Sequence, residues 1–352
     1  MIMINNNKKV AIVIVSYNSS SKLEACLTSL KKQTYPWELV DLILVDNNSF
    51  DNSINVAIRH FSSIRIIKNS ENQGFAKANN QAYELAKTLQ VDYLVLLNDD
   101  TIVTSQWLNY LIDTAESNQQ IAAVQAKLML WPEKDLINSL GNVLTFLGFG
   151  YCNYYKQPDS FILKSLEVPY PSGAAVAIKM TVLEKTGLFD DNFFMYHEDV
   201  DLGWRLRLLG FKIILEPKSV VYHQYNFSKA DYKYYYMERN RLWVYGKNFK
   251  LLTLIIFLPA FLLMELGIIF FAWRHRWLKY KLTGYWWLIK NWRRFLIERQ
   301  KIKKMRQVSD REILKLLVAE IKFQEVDNFL LNRIINPLMT IYLWIAKKII
   351  FW

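Results

Sequence analysis

The chain has only two cysteines among its 352 residues, Cys26 and Cys152. So few thiols exclude a disulfide framework and suit a reducing compartment. The start of the chain lacks the succession of charged segment, apolar core and cleavage site that marks a secretory signal, so none is expected. No Walker sequence and no dinucleotide fingerprint occurs, which removes two common glycine-loop phosphate sites. Internal repeats and low-complexity tracts are also missing.

What remains is a basic chain of two textures. The net charge is +12, and Lys and Arg crowd the C-terminal third together with much of the tryptophan. Basic residues interleaved with aromatics suit nucleic acid or an anionic membrane surface. The apolar run beside them favours the membrane and argues against nucleic acid. The expected division lies near residue 250, with one domain over 1–250 and a helical, membrane-associating region over 251–352.

In the first part, apolar runs alternate with helical patterns. Val10 to Val15, Leu39 to Val45, Ile64 to Lys68 and Tyr93 to Leu97 read as strands. Ser20 to Gln33, Phe75 to Leu89 and Ser105 to Ser117 read as helices. This alternation predicts an α/β domain with a mostly parallel sheet and helices on both faces. Residues 130–170, rich in Gly, Pro and aromatics, break the pattern and are expected to be irregular structure near the site.

Polar groups gather where the predicted strands end. Ser16, Tyr17 and Asn18 follow the first strand; Asp46, Asn47, Asn48 and Ser49 follow the second, with Asp51 beyond. Asn72 and Gly74 follow the third and open a helix that carries Asn80. Asn98, Asp99 and Asp100 follow the fourth. Open α/β sheets bind ligands at this end of their strands. An Asp there can accept from a pyrimidine N–H or a ribose hydroxyl, or can cap a turn. Gly74 either lets the backbone approach a phosphate or supplies a positive φ. Mg²⁺ and Mn²⁺ take oxygen ligands and commonly bridge a carboxylate to a diphosphate. A second acidic knot, Glu198, Asp199 and Asp201, follows His197, which is read as positional.

The order of these motifs resembles the family 2 inverting glycosyltransferases of the GT-A fold, within them the bacterial rhamnosyltransferase-like branch. The stretches that carry it are Val15-Ser16-Tyr17-Asn18, Val45-Asp46-Asn47-Asn48-Ser49, Asn72-Gln73-Gly74-Phe75-Ala76 with Asn80, and Leu97-Asn98-Asp99-Asp100-Thr101. Ser172-Gly173-Ala174-Ala175 and Glu198-Asp199-Val200-Asp201-Leu202 with Arg205 complete them, over roughly residues 8–250. The resemblance implies a nucleotide-sugar site drawn from Ser16, Tyr17, Asn18, Asp46, Asn48, Asn72, Gly74, Asn80, Asn98 and Asp99. It implies a divalent metal, Mg²⁺ or Mn²⁺, on Asp100, with His223 completing the site. Asn98 stands where the family's acidic motif more often begins with Asp. Asp199 is the implied general base with Glu198 as its rival, and Asp201 is expected to cap the following helix. Gly173, Ala174, Trp204 and Arg205 are implied acceptor contacts, Trp204 either stacking on a sugar or filling the core. Arg239 and Arg241 either meet phosphates or form a solvated basic face.

Leu251 to Trp273 is apolar and long enough to cross a bilayer. Lys247 and Lys250 precede it, and Arg274, Arg276, Lys279 and Lys281 follow. A single span would export the richer basic flank, against the positive-inside rule. A re-entrant or in-plane helix pair is therefore expected, with Trp273 to Arg306 and Ile334 to Trp352 as interfacial helices. The resulting expectation is a transferase at the cytoplasmic face of the membrane. It would move a sugar, with dTDP-L-rhamnose as the first donor and a UDP-hexose or UDP-N-acetylhexosamine as the second. The acceptor would be a lipid-linked saccharide in cell-surface polysaccharide synthesis. A non-catalytic glycosyltransferase-like scaffold is the rival reading; intact Asp100 and Asp199 speak against it.

Overall fold

The computed structural model describes residues 8–160, 164–225, 231–322 and 329–352, so the expectation about a leader lies outside the described residues. The chain forms two compact units, and they do not divide at residue 250. The first combines Met1–Asn142, Cys152–Phe194 and Phe211–Asn226; the second combines Val143–Tyr151, Met195–Gly210 and Phe227–Trp352.

The first unit is built on one mostly parallel sheet. From edge to edge its strands are Leu166–Glu167, Lys212–His223, Ile121–Leu130, Ala175–Lys179, Tyr93–Leu97, Val10–Ser16, Val40–Asp46 and Arg65–Lys68. Ala175–Lys179 runs antiparallel to both its neighbours. The last four strands in that order are parallel. Their polar C-terminal residues therefore gather along one edge, with Ser16 paired to Asp46 and Asp46 to Lys68. Leu23, Leu27 and Leu30 of helix Ser20–Leu30 and Trp107 and Leu111 of helix Trp107–Glu116 bury one face with Val10, Ile12, Ile14 and Leu44. The alternating residues Ala11, Val13, Ile43 and Val45 are buried too, on the face where helix Gly74–Thr88 packs.

Ile121–Leu130 is buried along its whole length yet carries no strong strand signal. Its Ala, Gln, Lys, Leu and Met residues favour helix by intrinsic propensity. Burial between two strands overrides that preference, as β-propensity mostly reflects packing. Residues 130–170 contain short strands in place of wholly irregular chain, among them Ile137–Ser139, which pairs with Ile121–Leu130.

The second unit is helical: Glu198–Leu208, Lys233–Asn248, Leu251–Arg274, Leu278–Lys290, Trp292–Met305 and Asn336–Ile349 are its main elements. Leu251–Arg274 is one continuous helix through Pro259. Of the expected re-entrant or in-plane arrangements, the re-entrant one is therefore not formed. Glu265 on this helix is buried and meets both Arg241 and Lys281, the latter at 2.9 Å. Lys281 also reaches Glu238 at 2.6 Å, and Glu238 meets Arg241 at 2.9 Å. Buried charges persist only when paired in this way. Arg241 also donates to the Leu147 carbonyl at 3.1 Å, so it is spent on structure and does not meet a phosphate. Arg239 is buried as well, its guanidinium 4.4 Å from the Trp287 ring centre and 5.2 Å from those of Tyr235 and Tyr236. Of the two readings of these arginines, the solvated basic face is not formed, since both are buried.

Candidate active site

In the first unit, three strand ends bring the acidic residues together. Thr101–Val103, which follows the Asn98-Asp99-Asp100 turn, pairs antiparallel with the end of Lys212–His223 and sets Thr101 opposite His223. The Gln224 N–H donates to the Asp100 carbonyl at 2.9 Å and closes this ladder. The result places His223 Nε2 3.1 Å from Asp100 Oδ1. On its other side, His223 Nδ1 lies 3.0 Å from Asn138 Oδ1. Lys22, from the first turn of helix Ser20–Leu30, approaches Asp100 Oδ2 at 3.5 Å. Burial works against ionisation of Asp100, but the hydrogen bond and charge of His223, and then Lys22, hold its carboxyl below the usual range.

Asp99 points elsewhere. Ser19 Oγ donates to Asp99 Oδ2, and Ser19 Oγ lies 3.0 Å from Ser16 Oγ. Burial, helped by the Asp100 charge and opposed by the Ser19 bond, pushes Asp99 up to about 6. Asp46 is fully buried; Oδ2 accepts from the Ser49 N–H at 3.2 Å, while Oδ1 has no hydrogen-bond partner among the described residues. A buried carboxylate oxygen left open is expensive unless a ligand meets it. Tyr17, which follows Ser16 at the end of the paired strand, is exposed. Asn48 takes a positive φ of 69° at this corner, a conformation Asn tolerates.

Other expected donor contacts are occupied by the protein itself. Asn72 Oδ1 accepts from Asn47 Nδ2 and from the Gly74 N–H, each at 2.9 Å. Asn80 Nδ2 donates to Phe189 O at 2.9 Å and Asp191 Oδ1 at 2.7 Å, and its Oδ1 accepts from the Phe189 N–H at 2.9 Å. Asn80 therefore holds the loop at Phe189 and Asp191, with both its N–H donors engaged. Asn18 Oδ1 accepts from the Phe50 N–H at 2.8 Å and ties two loops together. Asp51 accepts from Ser53 and Ser20 and acts as a helix cap. Gly74 is required by shape: its φ is +78°, and a Cβ there would lie 2.4 Å from the Phe194 carbonyl oxygen. Gly74→Ala should destabilise the protein by about 1–3 kcal/mol from backbone strain alone. A thermal melt unchanged by this substitution would refute that account.

Gly173 and Ala174 are buried, with Gly173 against the Phe75 ring and the Ala174 carbonyl accepting from the Asn98 N–H at 2.9 Å. They shape the Asn98 turn and do not present an acceptor surface.

The second unit holds the other acidic knot. Glu198 and Asp199 open helix Glu198–Leu208, preceded by His197 with a φ of 67°. Burial first, then the Arg241 charge, lowers His197 to about 4, so it stays neutral. Glu198 is buried, with Oε2 lacking a hydrogen-bond partner among the described residues. Burial and the adjacent Asp199 charge push its carboxyl well up, to about 8. Asp199 is half-buried, and its Oδ1 accepts from the Val200 N–H at 2.8 Å. Asp201 is not a cap. It is fully buried inside the helix and pairs with Arg205 and Lys247, each at 2.9 Å. Arg205 is thereby engaged by Asp201 instead of a saccharide. Trp204 is 1% exposed and packs edge-on against Phe249 with ring centres 4.8 Å apart. A ring enclosed in the core cannot stack on a sugar.

Sequence reasoning missed Ser19, Lys22 and Asn138, and named Asn47 without giving it a role. Ser19 and Lys22 had a signal, since they follow the first strand directly. Asn47 is buried and binds Asn69, Asn72 and the Gln73 N–H, a role that only the three-dimensional corner reveals. Asn138 comes from the segment expected to be irregular.

Aspartate and histidine are side chains that a divalent cation accepts. Among the described residues no group of three or more His, Cys, Asp or Glu could hold a metal. Asp100 and His223 make a pair, and Mg²⁺-type ions are commonly held by one or two protein ligands with substrate phosphates and water. Asn138 beside Nδ1 supplies the outer partner that metal-bound histidines normally have.

The chain matches the family model for glycosyltransferase like family 2 over residues 7–246. It is 25% identical over 237 residues to an N-acetylglucosaminyl-diphospho-decaprenol L-rhamnosyltransferase of Mycobacterium tuberculosis, covering 60% of this chain and 75% of that protein. A poly-β-1,6-N-acetyl-D-glucosamine synthase of Staphylococcus aureus is 22% identical over 213 residues, covering 60% of this chain and 48% of the relative. Two solved structures share the fold at 16% identity. GalNAc-T7 with UDP, GalNAc and Mn²⁺ superposes with a TM-score of 0.56 over 69% of this chain and 48% of that one. The mannosyltransferase PcManGT of Pyrobaculum calidifontis, in complex with GDP-Man and Mn²⁺, gives 0.52 over 85% and 86%. Parallel strands ending in acidic residues, a family match over most of the chain and these structural neighbours lead to one conclusion: the chain belongs to glycosyltransferase family 2 and is a glycosyltransferase of the GT-A fold.

Proposed function

We propose that this enzyme is a metal-dependent inverting transferase. It moves a sugar, L-rhamnose from dTDP-rhamnose as the first choice, onto a lipid-linked saccharide at the cytoplasmic face of the membrane. The product feeds cell-surface polysaccharide. The observation that carries the reading is the Asp100–His223 pair, 3.1 Å apart and backed by Asn138. The mycobacterial relative supports the donor and the lipid-linked acceptor by its name, and the Mn²⁺-containing neighbours support the metal.

In this reading, Asp46 Oδ1, open among the described residues, accepts from the base or ribose of the donor. Asp100 and His223 would hold a divalent cation, which would supply charge neutralisation for the diphosphate leaving group. Asp99, Ser16 and Ser19 form the hydrogen-bonded wall beside that pair. Asp199 removes the proton from the acceptor hydroxyl as that oxygen attacks the anomeric carbon. The base and the leaving group must be on opposite sides of that carbon for inversion.

The test is a panel of nucleotide sugars with Mn²⁺, reading nucleotide diphosphate release in the presence of a lipid-linked saccharide. dTDP-rhamnose should give the highest rate. The Staphylococcus relative makes UDP-N-acetylglucosamine the first competitor to include. Release from a UDP-sugar alone would replace the rhamnose assignment and leave the rest of the mechanism standing.

A further inference from the structure

The second unit exposes far more apolar surface than a water-facing helical layer should. On helix Leu251–Arg274, Leu252, Ile255, Leu262, Leu266, Phe270 and Trp273 are each more than half exposed. At 3.6 residues per turn these positions share one half of the helix. The other half carries Thr253, Phe257, Ala260, Met264, Glu265 and Ala272, all buried. Helix Asn336–Ile349 repeats the pattern, with Leu338, Ile341 and Trp344 exposed and Met339, Leu343 and Ala346 buried. Contiguous apolar surface of this kind marks an interaction site.

We propose that this surface seats the enzyme in one leaflet of an anionic bilayer, with helix Leu251–Arg274 lying in the membrane plane and not crossing it. The inference rests on the membrane location proposed above, but it concerns lipid contact alone and can be read without any sugar.

Two observations carry it. The first is the fastening of the helix. Glu265 lies on the buried half and is locked to Arg241 and Lys281, whose side chains are 1% and 0% exposed. A crossing helix would have to bring this cluster into the hydrocarbon or break it, and isolated charges are strongly disfavoured there. Lying in plane, the same helix keeps Glu265 paired and offers only its apolar half to lipid.

The second is the charge around the apolar surface. Lys290, Arg293 and Lys348 sit over the rings of Trp286, Trp292 and Trp344 at 5.6, 5.6 and 3.5 Å, and all three rings are more than half exposed. Tryptophan with a cation on its face suits the headgroup level, where anionic phosphates meet the amine and acyl chains meet the ring. Between Leu278 and Met305, Glu298 is the only acid among many Lys and Arg residues. A second copy of this chain would bring like charge against like, whereas anionic lipid brings the complement.

The experiment uses full-length protein and vesicles of phosphatidylcholine with or without phosphatidylglycerol. Single cysteines replace Leu252, Leu262 and Phe270 in a Cys152→Ser background; Cys26 is buried. Each carries an environment-sensitive fluorophore, and lipids brominated at different depths quench it. All three positions should report one shallow depth. A deep position 262 between shallow positions 252 and 270 would show a span and overturn the in-plane placement. Lys290→Gln with Arg293→Gln should lower partition into anionic vesicles by about 30-fold, at about 1 kcal/mol per cation, and leave neutral vesicles unaffected. Unchanged partition would overturn the role of the rim. Absence of vesicle binding together with a dimer in light scattering would assign the surface to a second copy instead. If lipid contact fails while the donor panel succeeds, this inference falls and the transferase reading stays.

Discussion

Asp199→Asn is expected to lower sugar transfer by about 10²–10⁴-fold, the usual contribution of a general base, while donor affinity stays near that of the wild type. The substitution is nearly isosteric and removes only the ability to take a proton. The choice between Asp199 and Glu198 rests on their surroundings. Glu198 is 8% exposed, and burial together with the Asp199 charge pushes its carboxyl up to about 8. Near neutral pH the raised Glu198 carboxyl therefore keeps its proton. A protonated acid cannot act as the base, so Glu198→Gln should retain most of the transfer rate. Protein stability supplies an independent reading. Glu198 binds a proton in the folded state between its ordinary pKa near 4.5 and about 8, and the unfolded chain does not. Stability should fall as pH rises through that window, and Glu198→Gln should flatten the decline. Full activity of Asp199→Asn with loss in Glu198→Gln would exchange the two roles.

The strands of the first unit were legible because each is a short apolar run closed by polar residues. Val10–Ser16, Val40–Asp46, Arg65–Lys68 and Tyr93–Leu97 fall where the hydrophobic pattern put them, within a residue or so. Ile121–Leu130 was not legible, since its alanine and long side chains prefer a helix and only its neighbours make it a strand. The strand-end acids were legible for the same reason as the strands. The polar amides around them were harder, because Asn, Ser and Gly serve turns and ligands alike. Asn80 and Asn72 turned out to bind the protein's own backbone and amides. Trp204 and Arg205 were ambiguous in sequence, and burial decides both. The charge cluster of Glu238, Arg241, Glu265 and Lys281 joins residues from three helices, so no local pattern announces it.

Asp100→Ala is expected to reduce donor affinity in Mn²⁺ by at least about 100-fold, down to the level that wild-type protein shows in EDTA. Asp100 is held below the usual carboxylate range by His223 and Lys22, so it is charged at every pH where the enzyme would work. Its Oδ1 faces His223 Nε2, and no other described carboxylate, histidine or cysteine completes a group of three. Removing Asp100 therefore removes half of the proposed ligand pair. Asn138→Ala makes a finer test, because it leaves both ligands and deletes only the partner of His223 Nδ1. Loss of such an outer partner should weaken metal affinity by about 10–100-fold, so Asn138→Ala should need more Mn²⁺ for half-maximal donor binding and recover at saturation. Asp100→Ala should not recover at any Mn²⁺ concentration. Titration calorimetry with nucleotide diphosphate across a Mn²⁺ series separates these outcomes. Equal donor affinity for wild type in Mn²⁺ and in EDTA would remove the metal from the mechanism and leave Lys22, 3.5 Å from Asp100, as the nearest positive charge for the leaving diphosphate.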